Sequence, residues 1–538
     1  MKKMVLIATL LMIASSGCTP LKRWKENGYK VGPNYKKPCV QTATDWVDSG
    51  HPAVVVQRER NPEWWRAFGD PTLEQLVQAA YQQNLSLRAA GVRVLQARTQ
   101  LDISALNLLP QSQSHYSRYS RNQISRNTAN AFPGLSRSFD DWQTGFDLSW
   151  ELDVWGRIRR SIEASDANLD VQIELYDDIL VTLIGDVAAS YIELRAFDQR
   201  LALAEENAKI QAGSLDIAKK RNREGRVSEL DVTQATSNYA DTLALIPSLR
   251  QGRRQAMNRI ALLVGMTPFE LEPLLRERGS LPDVPEQAVV GIPAELLRRR
   301  PDIRAAERQV AAQSAQIGIA EAELYPQFGL TGDINLNSER FSDLFSGASN
   351  GGLIAPGIRW NFLNYGRLKR GVRIEQLQFQ EAVVNYENSV LAAHREVEDA
   401  MVQFLESKER AEQLQRSAEA AAKSVELVSI QYKEGEVDFG RVFVLELSLV
   451  QRQDQLVATE AEVAIALVRL YKALGGGWQI RLTDPYRGSY PTETLASLPR
   501  NVDLPDLPIE LDLIEASPPV SLVEGPIVLE QKIQTSSR

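Results

Sequence analysis

Polar and apolar residues alternate along the stretch from Trp142 to Leu152. Trp142, Thr144, Phe146, Leu148, Trp150 and Leu152 fall on one side, and Gln143, Gly145, Asp147, Ser149 and Glu151 on the other. A two-residue period predicts a strand with one apolar and one wet face. Taken alone, the stretch favours a soluble sheet lying on a core. The alternative is a barrel strand whose apolar face meets lipid and whose polar face lines water. Past Gly156 the period becomes helical. Apolar positions recur every seven residues at Ile173, Leu180, Val187 and Leu194, with Tyr176, Leu183 and Phe197 offset by three, a coiled-coil pattern. A helix from 156 to 222 would be about 100 Å long, more than a globular core can use.

The pattern occurs twice. Trp150 and Trp360, Gly156 and Gly366, Arg157 and Arg367, Gly225 and Gly435, and Gly265 and Gly475 are each 210 residues apart. The helical stripe reappears at Val383, Val390, Val397 and Phe404, with Tyr386 matching Tyr176. The chain is therefore an internal duplication. In the second copy, Phe328, Leu330, Ile334 and Leu336 share one face of a strand over 327–337, opposite Gly329, Thr331, Asp333, Asn335 and Asn337. A fourth strand sets Ile354, Ile358, Trp360 and Phe362 against Arg359 and Asn361. Pro110 and Pro326 are 216 apart, so the six-residue change falls in the strand pairs or their loops, the first loop being the longer.

Local signals complete the layout. Residues 1–17 read as a signal peptide and 18–71 as an extended N-terminal segment. Repeat 1 spans 72–265, a connector 266–292, repeat 2 293–478, and a partly disordered tail 479–538. Asp70 or Thr72 can cap a helix over 72–109, with Pro71 in its first turn and Pro110 ending it. Residues 111–120 read as a weak strand and 121–141 as a polar loop. The chain reverses at Glu224-Gly225-Arg226 into a return helix over 228–264, with a kink expected at Pro247. The second half opens at Ile292 with a helix to Leu324, stopped by Pro326. Its return helix carries Leu449, Leu456, Val463 and Leu470 and ends at Gly475-Gly-Gly-Trp478.

Composition narrows the chemistry. Of 538 residues, 24% are charged and the formal net charge is −8, which gives no reason to expect nucleic acid as a partner. Lys2 and Lys3, the apolar run Met4–Ala14 and small residues before Cys18 form a secretory signal. The segment before Cys18 resembles the lipobox of bacterial lipoproteins, which implies an acylated Cys18 at the mature N-terminus. Cys39 would then be the sole thiol, so no disulfide is expected within one mature chain. His51, His115 and His394 lie far apart, and no metal site, cofactor or enzyme motif is read from the sequence. No apolar run of the mature chain reaches the length of a transmembrane helix.

Four strands cannot close a barrel, and an open edge in hydrocarbon leaves backbone groups unpaired. Bacterial barrels have even strand counts from eight upward, so at least two copies must share one, and three would give twelve strands. Trp142, Phe146, Leu148, Trp150, Leu330, Ile334, Ile358, Trp360 and Phe362 are then expected to face lipid. Asp147, Glu151, Asp333 and Arg359 are expected to face the lumen.

The segments VGPNYKKP, WWRAFGDPTL, WELDVWGR, EGRVSELDVTQA, IPAELLRRRPDIRAAE and LYKALGGGW run in order through residues 30–480. Together they resemble the TolC family of outer-membrane factors, in its lipoprotein (NodT/OprM-like) branch. The resemblance implies a mainly α fold with a transmembrane β-barrel: a homotrimer with a twelve-stranded barrel and a long α-helical periplasmic tunnel. It implies an exit duct for a tripartite efflux pump, partnered by a periplasmic adaptor (membrane fusion) protein and an inner-membrane transporter of the resistance-nodulation-division type. Alternatives are the outer-membrane duct of a type I protein secretion system and a lipid-anchored coiled-coil scaffold without a pore. The family's gate lies at the helical tips, which are here Gly225 and Gly435, with a carboxylate just past the turn at Asp231. The corresponding position in the second half is Arg441, leaving Glu436 or Asp438 as substitutes. Asp231 also sits three residues after Ser228, where it would complete a helix cap without gating anything.

Overall fold

The computed structural model describes residue 22 and residues 24–57, 62–125, 127 and 136–483. The expected signal peptide, Cys18 and most of the tail lie outside the described residues. The regular elements are β1 (Val54–Val56), α1 (Pro71–Gln83), α2 (Leu85–Leu106), β2 (Ser112–Gln123), β3 (Ser138–Leu152), α3 (Arg157–Arg223), α4 (Glu229–Val264), α5 (Pro268–Leu275), β4 (Ala288–Val290), α6 (Pro301–Ala322), β5 (Gln327–Ser338), β6 (Asn350–Arg359), α7 (Arg367–Glu434) and α8 (Phe439–Ala473).

Both long helices form as the seven-residue stripe predicts. Leu180, Val187 and Leu194 of α3 and Val390, Val397 and Phe404 of α7 are fully buried. Each helix ends in a glycine turn whose backbone is left-handed, at φ +72° for Gly225 and +87° for Gly435. Only glycine adopts that conformation without a Cβ penalty. α4 runs unbroken through Pro247.

The duplication appears in the element bounds. α2 and α6 are related by 216 residues at both ends, and α3 and α7 by 210 at their starts. The register change is spread over the strand pairs: the offset is 215 for β2 and β5, 212 at the starts of β3 and β6, and 210 at the helices that follow, so the loops 124–137 and 339–349 take up half of it.

Several expectations need correction. The helix expected over 72–109 is two helices broken at Asn84, whose ψ of 124° is extended. The Asn84 side chain caps α2 by accepting from the Leu87 N–H at 2.8 Å, while its amide donates to Leu263 O at 2.8 Å. The helix expected from Ile292 to Leu324 breaks 216 residues later at Arg300, where Pro301 excludes a helical backbone from the preceding residue. The connector 266–292 contains α5, closed by a Thr267–Glu270 capping box, and β4, which pairs in parallel with β1 of the extended N-terminal segment. β2 reaches Gln123 and β3 begins at Ser138, so the loop between them is shorter than the expected 121–141. The fourth strand ends at Arg359, leaving Trp360 and Phe362 just beyond it, both exposed.

The helices pack side by side. In the part nearer the sheet the neighbours run α2–α3–α6–α7, and toward the turns they run α4–α3–α8–α7. In the first row α2 and α7 are the end helices, and in the second α4 meets α8 as well as α3. The sheet is antiparallel in the order β2–β3–β5–β6, with β2 and β6 as open edges.

Candidate functional site

Register fixes which strand residues share a face, because directly opposed residues point the same way. Phe146 lies between His115 and Ile334, Leu148 between Gln113 and Gly332, Trp150 opposite Leu330, and Leu152 opposite Phe328, which faces Ile358. These rows place Trp142, Phe146, Leu148, Trp150, Leu330, Ile334 and Ile358 on one face. Phe146, Ile334 and Ile358 are each about two-thirds exposed, although they are large and apolar. Tyr119 and Trp142 pack with ring centroids 4.3 Å apart near the far end of the sheet. β2 departs from the pattern, since Gln113, His115 and Ser117 occupy this face.

The other face is polar. Asp147 lies directly opposite Asp333, with Ser114 beyond it. Tyr116 donates its hydroxyl to Asp333 at 2.9 Å, and Asn335 donates to the same carboxylate. Arg359 donates to Gln327 at 2.9 Å, and Glu151 pairs with Arg157 at 2.8 Å. Leu353, on the same row as Asp333, is an apolar exception, as are Phe139 and Ala355. Tyr116 is missing from the sequence reading because β2 has almost no apolar alternation to reveal which way its residues point.

The strand-to-helix junction explains the WELDVWGR segment. Asp153 accepts from the Ile158 and Arg159 N–H groups at 2.8 and 3.1 Å and so caps α3. Trp150 donates its indole N–H to Leu108 O at 3.0 Å, and Trp360 donates to Leu324 O at 3.1 Å. The two tryptophans are 210 apart and the two carbonyls 216 apart, so each repeat ties strand end to helix end with the same bond. The VGPNYKKP segment lies against this junction. Arg160 donates to Val31 O at 3.0 Å, Gly32 O at 3.1 Å and Asn34 at 3.0 Å, and Tyr35 donates to Glu307. A Cβ on Gly32 would fall 2.4 Å from the Gly318 Cα, so only glycine permits this approach.

The RRRPDIRAAE and GGGW segments meet around Asp177 of α3, which is almost completely buried. Arg481 grips it with two bonds of 2.8 and 2.9 Å. Arg304 lies 2.5 Å from Glu174 and 3.5 Å from Asp177, and stacks 4.4 Å over Trp478. Burial pushes the Glu174 carboxyl up to about 7 against the pull of Arg304. Part of the tail near Trp478 thus packs on the body, as its sequence suggests.

At the turns, Asp231 accepts from the Ser228 hydroxyl at 3.0 Å, and that hydroxyl does not bond the helix backbone. In the second repeat, Asp438 occupies the position of Ser228 and caps α8 by accepting from the Arg441 N–H at 3.1 Å. Glu436, Asp438 and Arg441 are exposed. The two turns are locked together by residues absent from the sequence reading. Arg221 of α3 donates to Tyr432 O and lies 4.9 Å over the Tyr432 ring, which packs edge-on against Phe439. Burial and the Asp231 charge push the Tyr432 phenol up. Neither residue stands out by spacing, since an arginine and a tyrosine near a helix end are common.

Among the described residues no cluster of three metal-ligating side chains occurs, and no helix is long and apolar enough to cross a membrane. What remains is an open four-stranded sheet with an exposed apolar face, carried on helices of about 100 Å.

Residues 76–266 and 292–476 match the model of the outer membrane efflux protein family. The chain is 30% identical over 475 residues to nodulation protein T of Rhizobium leguminosarum bv. trifolii, covering 86% of this chain and 97% of that protein. It is 31% identical over 436 residues to the pyoverdine export outer membrane protein OpmQ of Pseudomonas putida, covering 79% and 90%. Among solved structures, the outer-membrane channel OprN superposes with a TM-score of 0.77 at 32% identity, covering 84% of this chain and 99% of that one. The open-state MtrE channel of Neisseria gonorrhoeae gives 0.71 at 26% identity, covering 84% and 98%.

Proposed function

The chain belongs to the outer membrane efflux protein family and is an efflux channel of the outer membrane, and from that premise we propose that three copies assemble into the exit duct of a tripartite pump. The duct would work with a periplasmic adaptor and an inner-membrane transporter of the resistance-nodulation-division type. The observation that carries the assembly is the open sheet: β2 and β6 are unpaired edges beside an exposed apolar face. Two copies would supply eight strands, a barrel whose interior side chains fill. Three supply twelve and leave room for a lumen. In that barrel the Phe146 face meets lipid, and the Asp147 and Asp333 face lines water.

The helices supply a matching seam. α2 exposes Leu85, Val92 and Leu106 at multiples of seven, and α7 exposes Leu377, Val384 and Leu391. Within one copy, α6 meets α3 with Arg304 beside Asp177. Carried through the offsets of 216 and 210, that pair becomes Arg88 of α2 beside Glu387 of α7 in a neighbouring copy, again of opposite charge. The same register sets Leu85 against Leu391 and Val92 against Val384. Cysteines at Val92 and Val384 should therefore cross-link between copies into a covalent trimer on a denaturing gel. Dimers alone, or monomers under oxidising conditions, would refute the seam.

Cys18 carries the covalent lipid in this reading, with no other cofactor. An unmodified Cys18 in mass spectra of the mature N-terminal peptide would overturn that assignment. The tips form the gate. With Asp231 repeated three times around one axis, Asp231→Asn should raise single-channel conductance and weaken block by multivalent cations. If conduction and block stay at parent values, Asp231 serves only its Ser228 contact and the gate lies elsewhere.

A further inference from the structure

A band of polar side chains crosses the helices just above the tips, between two apolar clusters. One cluster holds Leu215, Ala235, Val428, Tyr432, Phe439 and Val442, and the other Leu201, Ala204, Ala208, Ile246 and Leu249. Glu446 of α8 lies in this band and is 2% exposed. One of its oxygens accepts from the Ser214 hydroxyl of α3 at 2.6 Å, and the other from the Asn238 amide of α4 at 2.8 Å. Both bonds join the second helical hairpin to the first. Gln211, one turn from Ser214 on α3, is equally buried, and neither its side-chain oxygen nor its nitrogen has a partner.

No positive charge faces the Glu446 carboxyl. On α3, Lys209, Asp216 and Lys219 are exposed, and Asp216 pairs with Lys220 at 2.6 Å. On α4, Asp241 is exposed and Tyr239 packs against both apolar clusters. On α7, Lys423 and Glu426 are exposed and pair with each other at 2.8 Å. On α8 itself, Arg441 and Arg452 are exposed. A buried carboxylate with only neutral donors is costly, whereas its protonated form is not.

We propose that Glu446 is a proton-dependent latch between the two hairpins: protonated, it holds α8 against α3 and α4; ionised, it loosens that contact. The protonated carboxyl sheds the charge that burial penalises, while its carbonyl oxygen can still accept from the Asn238 amide. Burial raises the Glu446 carboxyl above its ordinary value, with Ser214 and Asn238 only partly opposing the shift. A group whose value is raised on docking contributes stability that is complete below its undocked value. That stability is lost as pH climbs through the docked one. The hairpins should therefore be held more firmly in acid than at neutral or alkaline pH.

That the contact regulates conduction rests on the tips being the gate, but the latch itself is measured without conduction. Hydrogen exchange of the full-length protein would be followed from about pH 5 to about pH 8, corrected for the intrinsic pH dependence of exchange. Protection of amides near 214, 238 and 446 should fall by up to about tenfold per pH unit above the docked value. Glu446→Gln keeps the shape without the charge, so its protection should stay flat at the parent's acidic level, while α1 amides show no change in either protein. Ser214→Ala removes a donor to the ionised form and should move the parent midpoint upward. A flat parent, an unaltered slope in E446Q or an unmoved midpoint in S214A would each overturn the latch.

Discussion

Arginine in place of Leu148 should destabilise the membrane-inserted protein by about 2–4 kcal/mol, the cost of a cation on the lipid face of a barrel near mid-membrane. Leu148 sits near the middle of the stretch 142–152 of β3 that pairs with β5, opposite Gly332, with Phe146 and Trp150 flanking it on the same face. Gly332 offers no side chain to shield the new charge, and the neighbouring partner Ile354 is apolar and exposed. The same substitution one residue earlier, Asp147→Arg, enters a face already carrying Asp333, Ser114 and Tyr116. It should cost far less and act on ion preference. Denaturant unfolding of the protein in lipid vesicles reads both variants. If Asp147→Arg is the more damaging of the two, the lipid and lumen faces have been assigned in reverse.

That assignment was legible in the sequence where side chains alternate strongly and hidden where they do not. β3 and β5 declare their faces through Phe146, Trp150, Leu330 and Ile334, and the pairing Phe146 to Ile334 agrees with the alternation. β2 does not, because Gln113, His115 and Ser117 take the side that is apolar elsewhere, so Tyr116 went unnoticed beside Asp333. The long helices were readable because a seven-residue stripe persists over many turns. Their interruptions were not. Asn84 breaks a helix through its own side-chain cap and a distant carbonyl, Leu263 O, and nothing local distinguishes it from an ordinary polar residue. β1 and β4 are three residues each and exist only because segments more than 200 residues apart meet.

The repeat carried more information than any motif. Two offsets, 210 and 216, recover the matching tryptophan bonds at Trp150 and Trp360 and the breaks at Asn84 and Arg300. They also convert contacts inside one copy into expected contacts between copies, as with Arg88 and Glu387. Where the halves diverge, they do so by redistributing charge. The carboxylate after the first turn is Asp231, three residues into the helix, whereas the second turn places Asp438 at the cap itself and Arg441 where Asp231 would be.

Asp177→Ala should be the most damaging single change on the helical body, costing about 3–5 kcal/mol. The reason is what it leaves behind. Arg481 is nine-tenths buried and directs two bonds at Asp177 alone among the described carboxylates, so truncation strands a desolvated guanidinium. Arg304 retains Glu174 and the Trp478 face, which limits the loss to one charge. Because a buried pair costs nearly as much to desolvate as it returns, removing both partners together should be much milder than removing one. The double variant Asp177→Leu with Arg481→Met should lie within about 1 kcal/mol of the parent. Thermal and denaturant unfolding of the solubilised protein distinguishes the cases. A double variant as unstable as Asp177→Ala would mean that the pair holds α3 to the residues after α8 through its geometry. A double variant near the parent would mean that this junction is held by the packing of Trp478 and its bond to Arg299 O at 3.0 Å.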